Sequence, residues 1–291
     1  MMSGKSFNVE RAEAHQLSDR DFRFICQLVY DNTGIVLDER KRVMVYRRLM
    51  RRTRDLSISS FTDYCRMLGE ESAGELPYLI NAITTNLTSF FREAHHFDYL
   101  RDIFLPQHMQ LFSSSRRLRI WSAGCSTGEE PYSIAMTLLE SMGGALSGWD
   151  AKILATDLDS DVLETARSGI YQAERVKGLS TALCKRCFKR GTGSNSELLR
   201  VNPAVRQLIT FKQLNLLQSW PMRGPFDVIM CRNVLIYFDR ETQHALVERF
   251  SDLLRPGGLL MLGHSESIAK GFDEFEMLGR TLFCKRAELV A

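Results

Sequence analysis

The sequence predicts an α/β protein: an open, mostly parallel sheet with a small all-helical domain before it and a small β subdomain inserted into it. Three observations predict this. The stretch from Arg117 to Ile134, RLRIWSAGCSTGEEPYSI, reads as a buried strand, a loop of small residues and a helix. From Leu118 onward, short apolar runs alternate with helical periodicity, the pattern of parallel strands joined by right-handed crossovers. Between residues 18 and 84, by contrast, apolar residues recur only at helical spacing.

At 291 residues the chain can bury a full core, and its length fits two domains. A net charge of +3 is too small to argue by itself for nucleic acid or a membrane surface. The seven cysteines are odd in number and scattered, as expected of reduced thiols in a cytoplasmic protein. Cys184 and Cys187 form a lone CxxC without a second pair of ligands, so no metal site is expected. The amino terminus lacks a signal-peptide core, and no apolar run approaches membrane-spanning length, so no membrane insertion is expected.

Residues 1 to about 16 are polar and mixed and are expected to fray. Ser18 with Asp21 marks a helix start, and Phe22, Ile25, Cys26, Val29 and Tyr30 follow at helical spacing up to the Asn32-Thr33-Gly34 stop. A second helix begins near Asp38. At 100° per residue, Val43, Val45, Tyr46, Leu49 and Met50 gather on one side, and Arg40, Lys41, Arg47, Arg48, Arg51, Arg52 and Arg54 on the other. No carboxylates are interleaved past Glu39, so the charges repel within the helix unless an acidic partner is present. Nucleic acid and an acidic protein helix are both candidates, although the basic face lacks the aromatics of a single-strand binder. Helices over 60 to 68 and 75 to 83 complete the helical domain, residues 17 to 84. NLTSFFREAHHF, within a linker of residues 85 to 97, reads either as a buried linker helix or as a lid whose polar groups reach a ligand.

Residues 98 to 291 follow as the α/β domain, with strands at 118–122, 151–156, 207–212, 226–231 and 258–262 and a closing pair at 274–278 and 281–285. Helices cover 128–142, 160–168 and 240–254, and Pro256-Gly257-Gly258 reads as a turn. The alternation fails over about 170 to 206, which predicts the inserted subdomain.

Ligands of an open parallel sheet sit beyond the carboxyl ends of its strands. After the first strand the spacing from Gly124 to Gly128 is neither GxGxxG nor a P-loop, which ranks S-adenosylmethionine above NAD or ATP. Glu130 either meets the ligand or closes a capping box with Thr127. Asp157, after the second strand, suits a ribose diol or a helix N-cap, a role that Asp159 or Ser160 could also fill. Asn215 with Leu216 suits an adenine, and Arg232, Asn233 and Tyr237 follow the fourth strand.

NLTSFFRE, WSAGCSTGEEPYS, TDLD, NLL, CRNVLIYFD and RPGGLL, in that order, resemble the CheR-type chemoreceptor glutamate O-methyltransferases. Like that family, the chain has a non-acidic residue, Ser122, two places before the first loop glycine and a glutamate, Glu130, at the following helix start. The resemblance implies a class I S-adenosylmethionine-dependent methyltransferase (Rossmann-like) sheet. It implies donor contacts at Asn86, Thr88, Arg92, Gly124, Glu130, Asp157, Asn215, Leu216, Arg232 and Asn233, with Arg92 and Tyr237 near the transferring methyl. It implies that the basic face of Arg40, Arg47, Arg48, Arg51, Arg52 and Arg54 meets the acidic methylation helices of receptors, in a protein expected to be monomeric. Some members hold a receptor's carboxyl-terminal pentapeptide on the inserted subdomain, and the RGTG of residues 190 to 193 resembles theirs.

A glutamate acceptor is ionised at pH 7, so no general base is needed, and His95, His96 and His264 are not required for one. Two rivals remain. A nucleic-acid methyltransferase would suit the basic helix, but the chain has RNVLIYF where amino-methylating enzymes carry an Asn/Asp-Pro-Pro-aromatic run. The other is a non-catalytic sensor of the donor.

Overall fold

The computed structural model describes residues 17–70, 74–268 and 271–286, so the expected frayed tail lies outside the described residues. The chain divides into two compact units, one running to Thr85 and including Tyr237–Asp239, the other made of Asn86–Ile236 and the chain from Arg240 onward.

The first unit is helical. α1 (Asp19–Thr33) is capped by Ser18, whose hydroxyl accepts the Asp21 amide, and ends on left-handed Gly34. A 3-10 turn (Glu39–Lys41) leads into α2 (Arg42–Asp55), followed by α3 (Phe61–Gly69) and α4 (Leu76–Ile83). Phe22, Ile25, Val29, Val45, Leu49, Phe61, Tyr64, Leu79 and Ile83 form its core. The inward stripe of α2 is Val45, Leu49 and Thr53, four residues apart, while Val43 is 60% exposed rather than on the buried side.

The basic face of α2 is not uniform. Arg52 grips Glu75 through both carboxylate oxygens, at 2.8 and 2.7 Å, and stacks over Tyr78. Arg48 donates to the carbonyls of Ala82, Ile83 and Thr84 and thereby caps α4. Arg40 pairs with Asp38. The expected uncompensated repulsion is therefore relieved within the fold at three positions, by partners outside the register of a single helix. Arg47, Arg51 and Arg54 are exposed and make no ion pair among the described residues.

The second unit opens with an irregular segment. The helix expected within residues 85 to 97 does not form: Phe91 and Glu93 take positive φ, and helix begins only at α5 (His95–Tyr99). α5 runs through a π-helical turn (Leu100–Phe104) into α6 (Leu105–Leu111). Then follow β1 (Arg117–Ala123), α7 (Glu129–Met142), β2 (Asp150–Asp157) and α8 (Ser160–Ser168). The insertion comprises β3 (Ile170–Gln172), α9 (Thr181–Cys187), β4 (Phe188–Arg190) and β5 (Leu198–Val201), its strands forming a separate antiparallel sheet in the order β3-β5-β4. α10 (Pro203–Arg206), β6 (Ile209–Gln213), β7 (Phe226–Cys231), α11 (Arg240–Leu253), β8 (Leu254–Leu262), β9 (Phe275–Gly279) and β10 (Leu282–Lys285) complete the unit.

The main sheet runs β6-β2-β1-β7-β8-β10-β9, parallel as far as β8 and antiparallel thereafter. Pro256-Gly257-Gly258 proves to be a bulge within β8, where the register with β7 slips between Phe226 and Val228. All six residues of β7 are buried, as a central parallel strand requires. Trp121 of β1 meets Trp220, Phe226 and Phe250 on one face of the sheet.

Candidate active site

The loop after β1 is shaped by its two glycines. Gly124 has φ +86°, and a Cβ there would sit 2.3 Å from Val234 Cγ2; Gly128 has φ +97° and faces Ala166 Cβ and the Tyr171 hydroxyl at 2.9 Å. The loop does not present an open row of amides. Gly124 and Cys125 donate to the Thr156 carbonyl, Ser126 to Asp157 Oδ2 at 2.7 Å, and Gly128 to the Cys125 carbonyl. Ligand-facing polarity at this end of the sheet therefore comes from side chains.

The capping box does not form, because α7 has no side-chain cap. Thr127 donates instead to Glu129, a fully buried carboxylate held by Arg175. Glu130 turns the other way: its Oε1 accepts the Ser122 hydroxyl at 2.8 Å, and its Oε2 lies 3.4 Å from Arg232 Nη1. Ser122 at the end of β1 thus supports a carboxylate supplied by the next helix.

Arg232 is the electrostatic centre of the cluster. Its side chain is 2% exposed, donates to the Arg92 carbonyl, lies 3.5 Å from Glu93 Oε2, and packs over the Phe97 ring. Its Nε has no partner among the described residues. Burial raises the pKa of Glu130, against the opposing pull of Arg232 and the Ser122 hydroxyl. Glu93 is driven below the usual range by Arg232 and His264, which outweigh its burial. The Glu93, His95 and His96 donor atoms lie within 4.8 Å of one another, a spacing that could hold a metal ion. Arg232, 3.5 Å from Glu93 Oε2, already supplies a positive charge beside that carboxylate. Burial pushes the His96 pKa down to about 3, which keeps that ring neutral.

Asp157 ends β2. Its carboxylate accepts the Ser126 and Asp159 amides, and burial raises its pKa to about 6 despite those bonds. The N-cap of α8 is Asp159, which accepts the Asp161 and Val162 amides, so Asp157 is released from that role. Asn86 donates to the other oxygen of Asp159 at 2.7 Å, and the Ser126 hydroxyl donates to the Asn86 carbonyl. The linker thereby lies against the glycine loop. Asn215 Oδ1 accepts the Leu217 amide in an Asx turn, and Leu216 is buried with its carbonyl accepting from Trp220 and Arg249. Thr88 is half-buried, and Arg92 Nη1 donates to the Leu87 carbonyl at 2.9 Å. Asn233 has φ +59° and is held through its amide by Glu266. In the other unit, Tyr237 donates to the Thr85 carbonyl at 3.5 Å, with Lys41 Nζ 5.9 Å from its ring centroid.

Sequence reasoning missed Glu93, Glu129 and Glu266, whose partners lie 171, 46 and 33 residues away along the chain at His264, Arg175 and Asn233. Glu93 and Glu129 fall inside the quoted runs NLTSFFRE and WSAGCSTGEEPYS, whereas Glu266 lies beyond RPGGLL, and all three stand among polar neighbours that give no sign of burial.

A parallel sheet of this order, an antiparallel closing pair and a glycine loop followed by an acid at the tip of β2 define a class I S-adenosylmethionine-dependent methyltransferase. Two family models match the chain: "CheR methyltransferase, SAM binding domain" over residues 86–284 and "CheR methyltransferase, all-alpha domain" over residues 20–84. The chain belongs to the CheR methyltransferase family. It is 47% identical over 269 residues to the chemotaxis protein methyltransferase of Salmonella typhimurium, covering 92% of this chain and 90% of that one. It is 46% identical to the Escherichia coli chemotaxis protein methyltransferase, covering 96% and 95%, and 47% identical to chemotaxis protein methyltransferase 2 of Pseudomonas aeruginosa, covering 90% and 92%.

Proposed function

We propose that this enzyme transfers the methyl group of S-adenosylmethionine to glutamate side chains of chemoreceptors, giving glutamate methyl esters in chemotactic adaptation. The observation that carries this reading is the near-full-length similarity to proteins named chemotaxis protein methyltransferase. The residues at the carboxyl ends of the strands fit the donor: carboxylates at Glu130 and Asp157 for cationic and hydroxyl groups, and a buried guanidinium, Arg232, whose Nε has no partner among the described residues.

When bound, the donor supplies a methyl made electrophilic by a sulfonium, and a glutamate acceptor of ordinary pKa, about 4.3, is already a nucleophile at pH 7. What the protein supplies is placement and exclusion of water. In this reading Asp157 holds the ribose, Asn215 and Leu216 the adenine, and Glu130 and Arg232 the charged amino-acid end. Asn86, Thr88, Gly124 and Asn233 complete the donor contacts. Arg92 orients the donor or the incoming carboxylate, and Tyr237 offers a hydroxyl and a wall, both on the strength of the family resemblance.

For receptor docking, the arginines with their charge to spare are Arg47, Arg51 and Arg54 of the helical unit. Arg40, Arg48 and Arg52, although on the same expected face, already have partners inside the fold. A receptor's carboxyl-terminal pentapeptide is proposed at residues 190 to 193 of the insertion, next to the edge strand β4. The test is methyl transfer to a receptor helix fragment and to the same fragment with each candidate glutamate replaced by glutamine. Transfer to the first alone is expected; equal transfer to both would overturn the assignment of a carboxylate acceptor.

A further inference from the structure

β7 and β8 are parallel neighbours whose ends are in register, Cys231 opposite Leu262. The chain leaving each strand is tied to one side chain. Glu266, 6% exposed, accepts the Asn233 amide (2.8 Å) and the Gly263 amide (2.6 Å) on one oxygen, and the Ile236 amide (3.2 Å) on the other. Its own amide donates to the Gly263 carbonyl at 2.8 Å, closing a tight turn. Three amide donors on one buried carboxylate form a charge-assisted latch. It holds the amide of Asn233, which sits at φ +59° in the left-handed region that asparagine adopts more readily than other non-glycine residues.

The packing around the latch leaves no slack. A Cβ at Gly263 would lie 2.4 Å from Asn233 Nδ2, 2.7 Å from the Asn233 amide nitrogen and 2.8 Å from Glu266 Oε2. Gly263 itself lies outside the positive-φ region, so a side chain there fails by contact alone. Arg232, immediately before Asn233, is the guanidinium set between Glu93 and Glu130.

We propose that Glu266 is a positioning residue for methyl transfer, its carboxylate fixing the Arg232–Asn233 step in the geometry that receives the donor. This rests on the reading that Arg232 and Asn233 meet the donor. Asp227, at the start of the same strand, provides the control: it is also a buried carboxylate, accepting the Arg119 amide at 2.7 Å and Arg255 Nε at 2.6 Å, at the opposite end from the site.

The experiment compares Glu266→Gln, Gly263→Ala, Asp227→Asn and Asp157→Ala in the full chain. It reads denaturation midpoint, calorimetric affinity for S-adenosylmethionine and S-adenosylhomocysteine, and the KM for donor and for a receptor fragment. Glu266→Gln and Gly263→Ala should each weaken donor affinity by about tenfold or more, one charge-assisted contact's worth, with donor KM rising and receptor KM unchanged. Asp227→Asn should lower the midpoint yet keep donor affinity within about twofold. Should Glu266→Gln fail to fold, Gly263→Ala against Asp227→Asn decides. Donor affinity that drops in Asp157→Ala but stays at the wild-type level in the two latch variants would overturn the positioning role and leave the donor site standing. Donor affinity unchanged in all of these variants would overturn both, and an equal drop in Asp227→Asn would reduce the latch effect to general destabilisation.

Discussion

Replacing Arg52 by alanine should damage the helical unit, whereas the same change at Arg51, its neighbour in sequence, should not. Glu75 is 7% exposed at its side chain, and Arg52 meets both of its oxygens, at 2.8 and 2.7 Å. The Tyr64 hydroxyl adds a third bond at 2.9 Å, and burial with that bond to Glu75 raises the Tyr64 pKa, so the phenol stays a donor. Removing the guanidinium leaves a buried carboxylate with one neutral partner, a loss of about 3–5 kcal/mol for a buried pair broken on one side. Arg51 is exposed and unpaired among the described residues, so its loss should stay within about 0.5 kcal/mol. Urea unfolding followed by far-ultraviolet circular dichroism measures this, with the slope unchanged and the midpoint lowered for Arg52→Ala. A joint replacement, Arg52→Met with Glu75→Leu, should recover most of the loss, because neither charge is then left buried alone. An Arg52→Ala protein as stable as Arg51→Ala would refute the reasoning and return Arg52 to the docking face.

Two further outcomes follow from the charges. Asp157, with its pKa raised to about 6, must be ionised to accept two ribose hydroxyls, so donor affinity should hold above about pH 6.5 and fall roughly tenfold per unit below about pH 6. The stability sign is opposite. Between its ordinary value and about 6 the native state keeps a proton that the unfolded chain has lost, so this group's contribution to stability declines as pH rises through that window. Calorimetry in buffers of different ionisation enthalpy should show proton release on binding near about pH 6 and none in Asp157→Asn; a flat affinity between about pH 5 and about pH 8 would rule out the ribose role. Reversing Arg47, Arg51 and Arg54 together should raise the receptor KM by roughly threefold to a hundredfold at low salt, each of the three exposed pairs being worth about 0.2–1 kcal/mol. Donor affinity should not change, and a receptor KM insensitive to both the substitutions and salt would remove α2 from the docking surface.

The sheet was legible because its strands are buried apolar runs set off by turn residues: β7 is found at its expected position, and β1 and β2 within a residue or so at each end. The helical unit was legible for the same reason, through Ser18, Gly34 and Ser60 at helix ends. What escaped depends on contacts between distant residues. NLTSFFRE reads as a helix, but positive φ at Phe91 and Glu93 bends it, with the Phe91 amide donating to the Ser133 hydroxyl. The helical run from His95 to Leu111 was hidden by Pro106, a helix breaker by composition, which stands inside it just after the π-helical turn of Leu100–Phe104. At the candidate site, Glu130 could not be told from a capping residue until Ser122 and Arg232 were seen to face it. The basic face of α2 looked uniform in one dimension, and three dimensions divided it into structural and free arginines.

The central claim is an ester-forming transfer from a sulfonium donor to a receptor carboxylate. Its most direct test is incubation with donor labelled in the methyl group and a receptor cytoplasmic fragment, followed by treatment of the product with base. Label released as volatile methanol is the predicted result, because a glutamyl ester hydrolyses where a methylated nitrogen does not. Label incorporated into the fragment but retained through base, or bound donor with no incorporation, would contradict it.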